Sequence, residues 1–421
     1  MLAVPLITSS ATVIAGLVPI GLPAAHPKGH EVSMDIAVED KAPWECIYRR
    51  RTLPLRVTPA ADEAVDSWLA AQARRHDVPF ADLVESFALA THHGISWWLW
   101  LPQQAQHHVA EVSGLAPGDL RAMTFHRYLE PTVTNVGLGE WKNALWIRSS
   151  GSRFCPDCLR GTKGPWRLSW RLNWYFACLE HRRLLMQECP RCQRPQRCGL
   201  PPGPHVPVPG SQCRGGYAAR SVCTEDLSSC TGEILPQGSP ILLAQRRIDD
   251  LVRGRGRELM LYGPTQRWTS MALRDLKVLA RWSGACVDLR AIDAQLPAGL
   301  TARIAEFRKV MDWPYGPYWS NSRADFTVEE TAFGAIIGLK VITAEHFSTA
   351  RQYLHLLMRT ATPSAAFREA VPTRHALSPR LRAVNNAACE PILAGQQIIR
   401  MFQCSAAKSA RRRPAPTRQV R

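Results

Sequence analysis

Apolar positions in the first third of the chain recur at helical spacing. Leu53-Pro54-Leu55-Arg56-Val57 alternates as a strand does, and Thr58-Pro59 offers a helix start with proline at the first helical position. Val65, Trp68, Leu69 and Ala73 then form one stripe, while Asp66, Arg74 and Arg75 lie off it. His76-Asp77-Val78-Pro79 breaks this helix, and Phe80, Leu83, Val84 and Phe87 form the apolar face of a second. A further pair is predicted between Gln104 and Tyr128. Ala110 is small where the two helices cross, Gly114 takes a left-handed turn, and Leu120 packs the second helix onto the first.

From Ser239 onward the pattern is again helical. Ile241, Leu242, Ile248 and Leu251 mark one helix, Leu273, Leu276, Leu279 and Ala280 mark a second within Met271 to Trp282, and Phe347, Ala350, Tyr353, Leu354 and Leu357 mark a third within Ala344 to Met358. The stretch between these helical regions follows neither period and is rich in cysteine and aromatics. The chain ends in a basic run, Arg411-Arg412-Arg413, with no acidic residue from Lys408 onward, a composition that cannot build a core.

The expected fold class is therefore mainly α with a small zinc-stabilised β/loop region. The expected domains are an N-terminal extension (1–49), a helix-turn-helix-like helical domain (50–140), two tandem zinc-ribbon-like fingers (141–235), a C-terminal helical domain (236–403) and a basic tail (404–421). Residues Ala11 to Ala25 are nearly all apolar but no Lys or Arg precedes them. The run is too short to span a bilayer, and residues 1–33 read as a disordered extension or a misplaced start rather than an export signal.

The cysteines change the picture most. Of thirteen in the chain, three combine with one histidine into the string Cys155-Pro-Asp-Cys158, Cys178-Leu-Glu-His181, and Cys189-Pro-Arg-Cys192 follows. A C-x2-C pair sets two thiolates on one tight knuckle, and a second pair further on completes a tetrahedral structural zinc site. Cys155, Cys158, Cys178 and His181 are the first predicted ligand set. Cys189, Cys192, Cys213 and Cys223 are the second, with Cys198, His205 and Cys230 as rivals for its closing half. Two Zn2+ ions are the expected cofactors. Four protein ligands leave no open coordination position, so catalytic zinc is not expected. An odd count and knuckle grouping fit reduced thiols and a cytoplasmic location better than a secreted disulfide framework.

Charge adds a partner class. The formal net charge of +17 favours anionic partners, nucleic acid first among them. Bases and aromatics interleave from Trp141 to Tyr175, a pattern used for stacking and phosphate contact, although small zinc domains also fill their cores with such rings. Arg121, His126 and Arg127 on the second helix of the pair are candidates for DNA contact, as are Arg167 and Arg171 near the knuckles. No phosphate loop, zinc-protease helix or zinc-deaminase pattern occurs. Asp62, Glu63, Asp66 and Glu130 form no set that spacing singles out for a metal-dependent nuclease, and their default reading is a solvated helix face.

Phe154-Cys155-Pro-Asp-Cys158-Leu159, Arg167-Leu168-Ser169-Trp170-Arg171, Cys178-Leu-Glu-His181, Leu184-Leu185 and Cys189-Pro-Arg-Cys192 together resemble the core of TniQ proteins. Upstream, Leu53-Pro54-Leu55, Glu63 and Ser67-Trp68-Leu69 are similar to that family's N-terminal helical region, as are Ser113-Gly114-Leu115, Leu120, Met123 and Thr124. Downstream, Cys223-Thr-Glu-Asp226-Leu227 resembles the end of the second finger in some members, with Thr224 in place of the usual glycine, and this favours Cys223 over Cys230. The resemblance covers about Arg50 to Gly232. It implies a non-enzymatic adaptor of DNA transposition that connects target DNA, or a target-recognising nucleoprotein, to an AAA+ ATPase regulator and transposase, with a homodimer as one form and no membrane partner. The other function class compatible with these motifs is a zinc-containing helix-turn-helix transcriptional regulator.

Overall fold

The computed structural model describes residues 52–89, 97, 101–128, 145–148, 151–161, 164–198, 206–214, 223–255, 259–262, 268–286, 299–310, 326–360 and 377–389. The chain divides into units Met1–Arg49 and Arg50–Arg421, and every described residue lies in the second. The described fold is mostly helical with one two-stranded sheet.

Helix α1 spans Val65–His76 and turns its predicted stripe inward, with Val65, Trp68, Leu69 and Ala73 all buried. It begins later than Thr58-Pro59 suggests. Asp62 adopts a left-handed backbone with φ 61°, and the Glu63 carboxylate accepts the Ala60 N–H at 2.9 Å, so these residues form a tight turn that delays the helix. Nor is 53–57 a strand: the Leu53 N–H instead donates to the Val112 carbonyl at 2.8 Å. Helix α2 (Phe80–Ser86) buries Phe80, Leu83 and Val84.

Helix α3 (Gln103–Ser113) stops at Gly114, whose φ of 72° is the left-handed conformation expected from the sequence. Helix α4 (Pro117–Ala122) starts on a proline and buries Leu120, and a 3-10 turn over Phe125–Tyr128 follows. Together α1 to α4 enclose a cluster centred on Trp68, Leu69, Phe80, Phe87, Val109 and Leu120.

The cysteine-rich segment has little regular structure. A short helix α5 (Pro156–Gly161) carries the second cysteine of the first knuckle, and a 3-10 turn covers Leu168–Arg171. Strands β1 (Ala177–Cys178) and β2 (Arg183–Leu184) are antiparallel, with Ala177 opposite Leu184 and Cys178 opposite Arg183. Residues 233–235 extend this ribbon: Leu184 N–H donates to Glu233 O and Leu235 N–H to Arg182 O.

Helix α6 (Pro240–Val252) is capped by the Ser239 side chain and docks on β1 through Gln245. The Gln245 side-chain oxygen accepts the Phe176 and Ala177 N–H groups at 2.8 and 3.0 Å. Helices α7 (Trp268–Cys286), α8 (Leu300–Val310), α9 (Val328–Ile342) and α10 (Phe347–Thr360) follow, and residues 379–389 are also helical.

Helix α9 is the central element of this half. It is buried on nearly every side and lies against α7, with α6, α8 and α10 also in contact. Gly334 makes the approach to α7 possible, since a Cβ there would stand 2.5 Å from the Ala280 carbonyl oxygen. No stripe is visible in its sequence, because a helix buried all round has no polar face to set a period. Its start is signalled, however, by Thr327 and Glu330, which form a reciprocal capping box. In α10, Ala350, Leu354 and Leu357 are buried, but Phe347 and Tyr353 from the predicted stripe are exposed.

Side chains on both sides of residue 236 share one hydrophobic cluster. Phe154, Trp166, Trp170, Trp174 and Phe176 belong to it, and so do Ile248, Leu276, Phe333 and Val384. Arg153 reinforces this union. Its fully buried guanidinium donates to the carbonyls of Asn173, Tyr175 and Phe326 and to the Thr331 hydroxyl. Four acceptors around one guanidinium satisfy the donors of a charge carried inside. Among the described residues no helix is long and apolar enough to cross a membrane.

Candidate metal centres and their surroundings

The first knuckle presents Cys155 just before α5 and Cys158 within it, while β1 and the turn after it supply Cys178 and His181. The β1–β2 turn folds back so that the Cys178 sulfur lies 3.6 Å from the Cys158 sulfur and 3.5 Å from His181 Nδ1. Cys158 Sγ is 3.2 Å and Cys155 Sγ 3.7 Å from the same nitrogen. All four donor atoms lie within 4.8 Å of one another. A tetrahedral zinc with bonds of about 2.3 Å to sulfur requires sulfur–sulfur edges of about 3.8 Å. The geometry fits a structural metal ion, and the three cysteines are buried.

The thiols also fit chemically. Without a cation they cannot all ionise together. A hydrogen bond to Cys158 lowers the Cys155 thiol, but contact with Cys178 and burial outweigh it and push the group up to about 11. Cys158 is pushed up by hydrogen bonding to Cys155 and Cys178 and by burial, whereas hydrogen bonds to Cys155 and Cys158, with the His181 N–H, hold Cys178 down. Mutual contact thus opposes the joint ionisation of the three thiols, and a divalent cation would favour the ionised form of all of them.

The second centre gathers Cys189, Cys192, Cys213 and Cys223 within the same 4.8 Å limit. Cys189 and Cys223 are 3.9 Å apart, and Cys192 and Cys213 are 3.6 Å apart. Two antiparallel contacts close it. Cys213 N–H donates to Glu225 O, and Leu227 N–H donates to Ser211 O, which brings the widely spaced closing cysteines into register. The Gln196 amide donates to Cys213 Sγ at 3.2 Å and accepts the Arg214 N–H at 2.9 Å, so it orients one donor of the set. Of the rivals, Cys230 lies outside the group with its sulfur 3.9 Å from the Asp226 carbonyl, and burial with nearby negative groups pushes its thiol up to about 11. Cys198 is exposed beside the Pro195 carbonyl, and His205 falls outside the described residues.

The arginines divide into two groups. Arg171 is corrected from surface to interior: it donates to Asp66 Oδ2 at 2.8 Å with its side chain only 6% exposed. Arg127 donates to Asp62 at 2.8 Å, and Arg121 donates to the Gln106 side chain at 3.0 Å. Arg167 pairs with Glu180 and lies 5.9 Å from the Trp170 ring. Of these four, Arg121 is the one with an exposed side chain. Helix α4, which would be the reading helix, has six residues, a length of roughly 9 Å. Trp146, Trp166, Trp170 and Trp174 are all buried, so the aromatics of this segment pack its core; Trp141, Lys142 and Lys163 are outside the described residues.

The acidic residues near α1 are also corrected. Glu63 and Asp66 are buried, not solvated, and Asp62 accepts hydrogen bonds from Arg127 and the Ser169 hydroxyl. Burial raises the Asp66 carboxyl, but Arg171, Arg197 and Arg214 outweigh it and hold the group below the usual range. Arg197, which donates to Asp66, and Gln196, which bonds Cys213 and Arg214, carry no spacing signal in the sequence. Only their place just after the second knuckle could have singled them out.

No curated protein matches the chain. The TniQ family model matches residues 54–185, a segment that contains every donor of the first metal centre and none of the second. Each centre gathers four protein donors, so a metal ion held by all four would keep no open coordination position. Residues 54–185 of the chain are therefore similar to the TniQ family, and the first metal centre lies within that similarity.

Proposed function

We propose that this chain is an adaptor in DNA transposition that links target-site recognition to recruitment of an AAA+ ATPase regulator and its transposase. The observation that carries the reading is a complete centre of three cysteines and one histidine inside the matched segment, joined by a common core to helices that lie beyond it. In this reading Zn2+ occupies both centres. Cys155, Cys158, Cys178 and His181 hold one ion, Cys189, Cys192, Cys213 and Cys223 hold the other, and the metal supplies structure alone.

The target is DNA itself or a nucleoprotein, and the net charge of +17 supports an anionic partner. A homodimer is one form in which the adaptor would act, and the cytoplasm is its proposed location. The transcriptional-regulator alternative draws no specific support from the site, because Arg127 is held by Asp62 and α4 is less than two turns long. The test is affinity capture of the tagged full chain together with its genomic neighbours, followed by a transposition assay in a deletion strain. Recovery of an AAA+ ATPase and loss of transposition are expected. A transposition rate indifferent to the deletion, with no such ATPase recovered, overturns the reading.

A further inference from the structure

Asp66 lies in the first turn of α1, distant in sequence from both metal centres, yet it is where their arginines meet. Arg171 comes from the loop between the two ligand pairs of the first centre. Arg197 follows Gln196, whose side chain is bonded to Cys213 of the second. Both guanidiniums donate to the same carboxylate oxygen, Asp66 Oδ2, each at 2.8 Å, and Arg197 also lies 4.9 Å from the Trp166 ring. The side chains of Asp66 and Arg197 are 1% and 2% exposed.

The first-centre loop holds the start of α1 by other contacts as well. Ala64 N–H donates to Trp166 O, Trp166 N–H to the Ser67 hydroxyl, and Leu168 N–H to Asp62 O. The second-centre loop reaches α1 through Arg197 and, on its far side, through the Val208 carbonyl, which accepts from Arg74 at 3.1 Å. Helix α1 provides no metal donor; besides its packing on α2 to α4, it is held by loops that carry the two quartets.

We propose that Asp66 makes the docking of α1 conditional on both metal centres being closed. This rests on the metal reading above and goes beyond it. If either quartet opens, its loop withdraws one guanidinium, and the other is left alone on a carboxylate oxygen that both had shared. If the carboxylate is removed instead, two guanidiniums remain buried beside each other without the charge between them, and the loops separate from α1. The N-terminal helical segment would thus report the metal state of a centre it does not touch.

The experiment is hydrogen exchange on the full chain, read over residues 65–76, with zinc content measured in parallel. Cys192→Ser opens only the second centre and is expected to retain one zinc while protection in α1 falls about tenfold. Asp66→Asn in the wild-type background is expected to produce a comparable loss. The double variant should lose less than the product of the two, since both act through one joint. Should Asp66→Asn fail to fold, Cys192→Ser alone decides. Two zinc ions in the wild type, with α1 protection unchanged in Cys192→Ser, overturn the coupling and leave the metal reading standing. No zinc in the wild type overturns both.

Discussion

Gly210 and Gly164 meet backbone to backbone where the loop before the second centre's closing cysteines crosses the loop of the first. A Cβ on Gly210 would overlap the Gly164 carbonyl oxygen, and the Gly210 carbonyl in turn accepts the Trp166 indole N–H at 2.7 Å. Gly210→Ala is expected to destabilise the chain by on the order of 2 kcal/mol or more, seen as a lowered melting temperature. Asp66 gives a second prediction at this scale. Its folded carboxyl is held below the ordinary value of 3.8, so its contribution to stability is present above that value and disappears as pH falls through the lower folded value. As pH falls below 3.8 the wild type should therefore lose a contribution to stability that Asp66→Asn lacks at every pH, seen as a steeper acid limb in the wild type. An unchanged acid limb in the variant would show that the pair with Arg171 and Arg197 contributes nothing.

Among the elements, α9 illustrates how a sequence signal disappears when its surroundings are uniform. Phe333, Ala335, Ile336, Ile337 and Ile342 face different neighbours but are all buried, so no periodic contrast marks the helix. Its one local marker is the Thr327–Glu330 box, and Thr327→Ala is expected to cost about 1 kcal/mol by loss of the cap. Gly334→Leu should cost more, roughly 3 kcal/mol, since the new side chain would meet the α7 backbone at Ala280. Both are measured by denaturant unfolding, and a Gly334→Leu variant as stable as wild type would refute the close α7–α9 approach. Helices α2 and α6 behave differently. Each has one wet face and one dry face, so their stripes are legible from spacing alone. In α1 the apolar stripe is legible as well, although Asp66, Ser67 and Gln72 off it are also buried.

At the scale of the molecule, the cysteine segment and the downstream helices share one core, with Arg153 and Gln245 as polar links between them. Metal removal is therefore expected to affect more than the two knuckles. Titration with a strong chelator at neutral pH should lower the melting temperature of the whole described unit and weaken near-ultraviolet signals from Trp166, Trp170 and Trp174 together, since a structural zinc contributes on the order of 10 kcal/mol. Tryptophan signals that persist after complete zinc loss would mean that the shared core holds the segment without metal.

The linear chain by itself determined the ligand strings and the amphipathic helices. Donor spacing in Cys155-Pro-Asp-Cys158 and Cys178-Leu-Glu-His181 reflects a local requirement, the reach of two thiolates on one turn, and local requirements are written in neighbouring residues. The choice of Cys223 over Cys230 followed from resemblance, and the tertiary structure brings Cys223 to the other three by the pairing of 211–213 with 225–227. Only the folded chain decided the fate of the charges. Asp66, Arg153, Arg171 and Arg197 look like surface residues in any local window, and they are buried because partners far along the chain satisfy them. A buried charge depends on what surrounds it in space, and that information is not local in sequence.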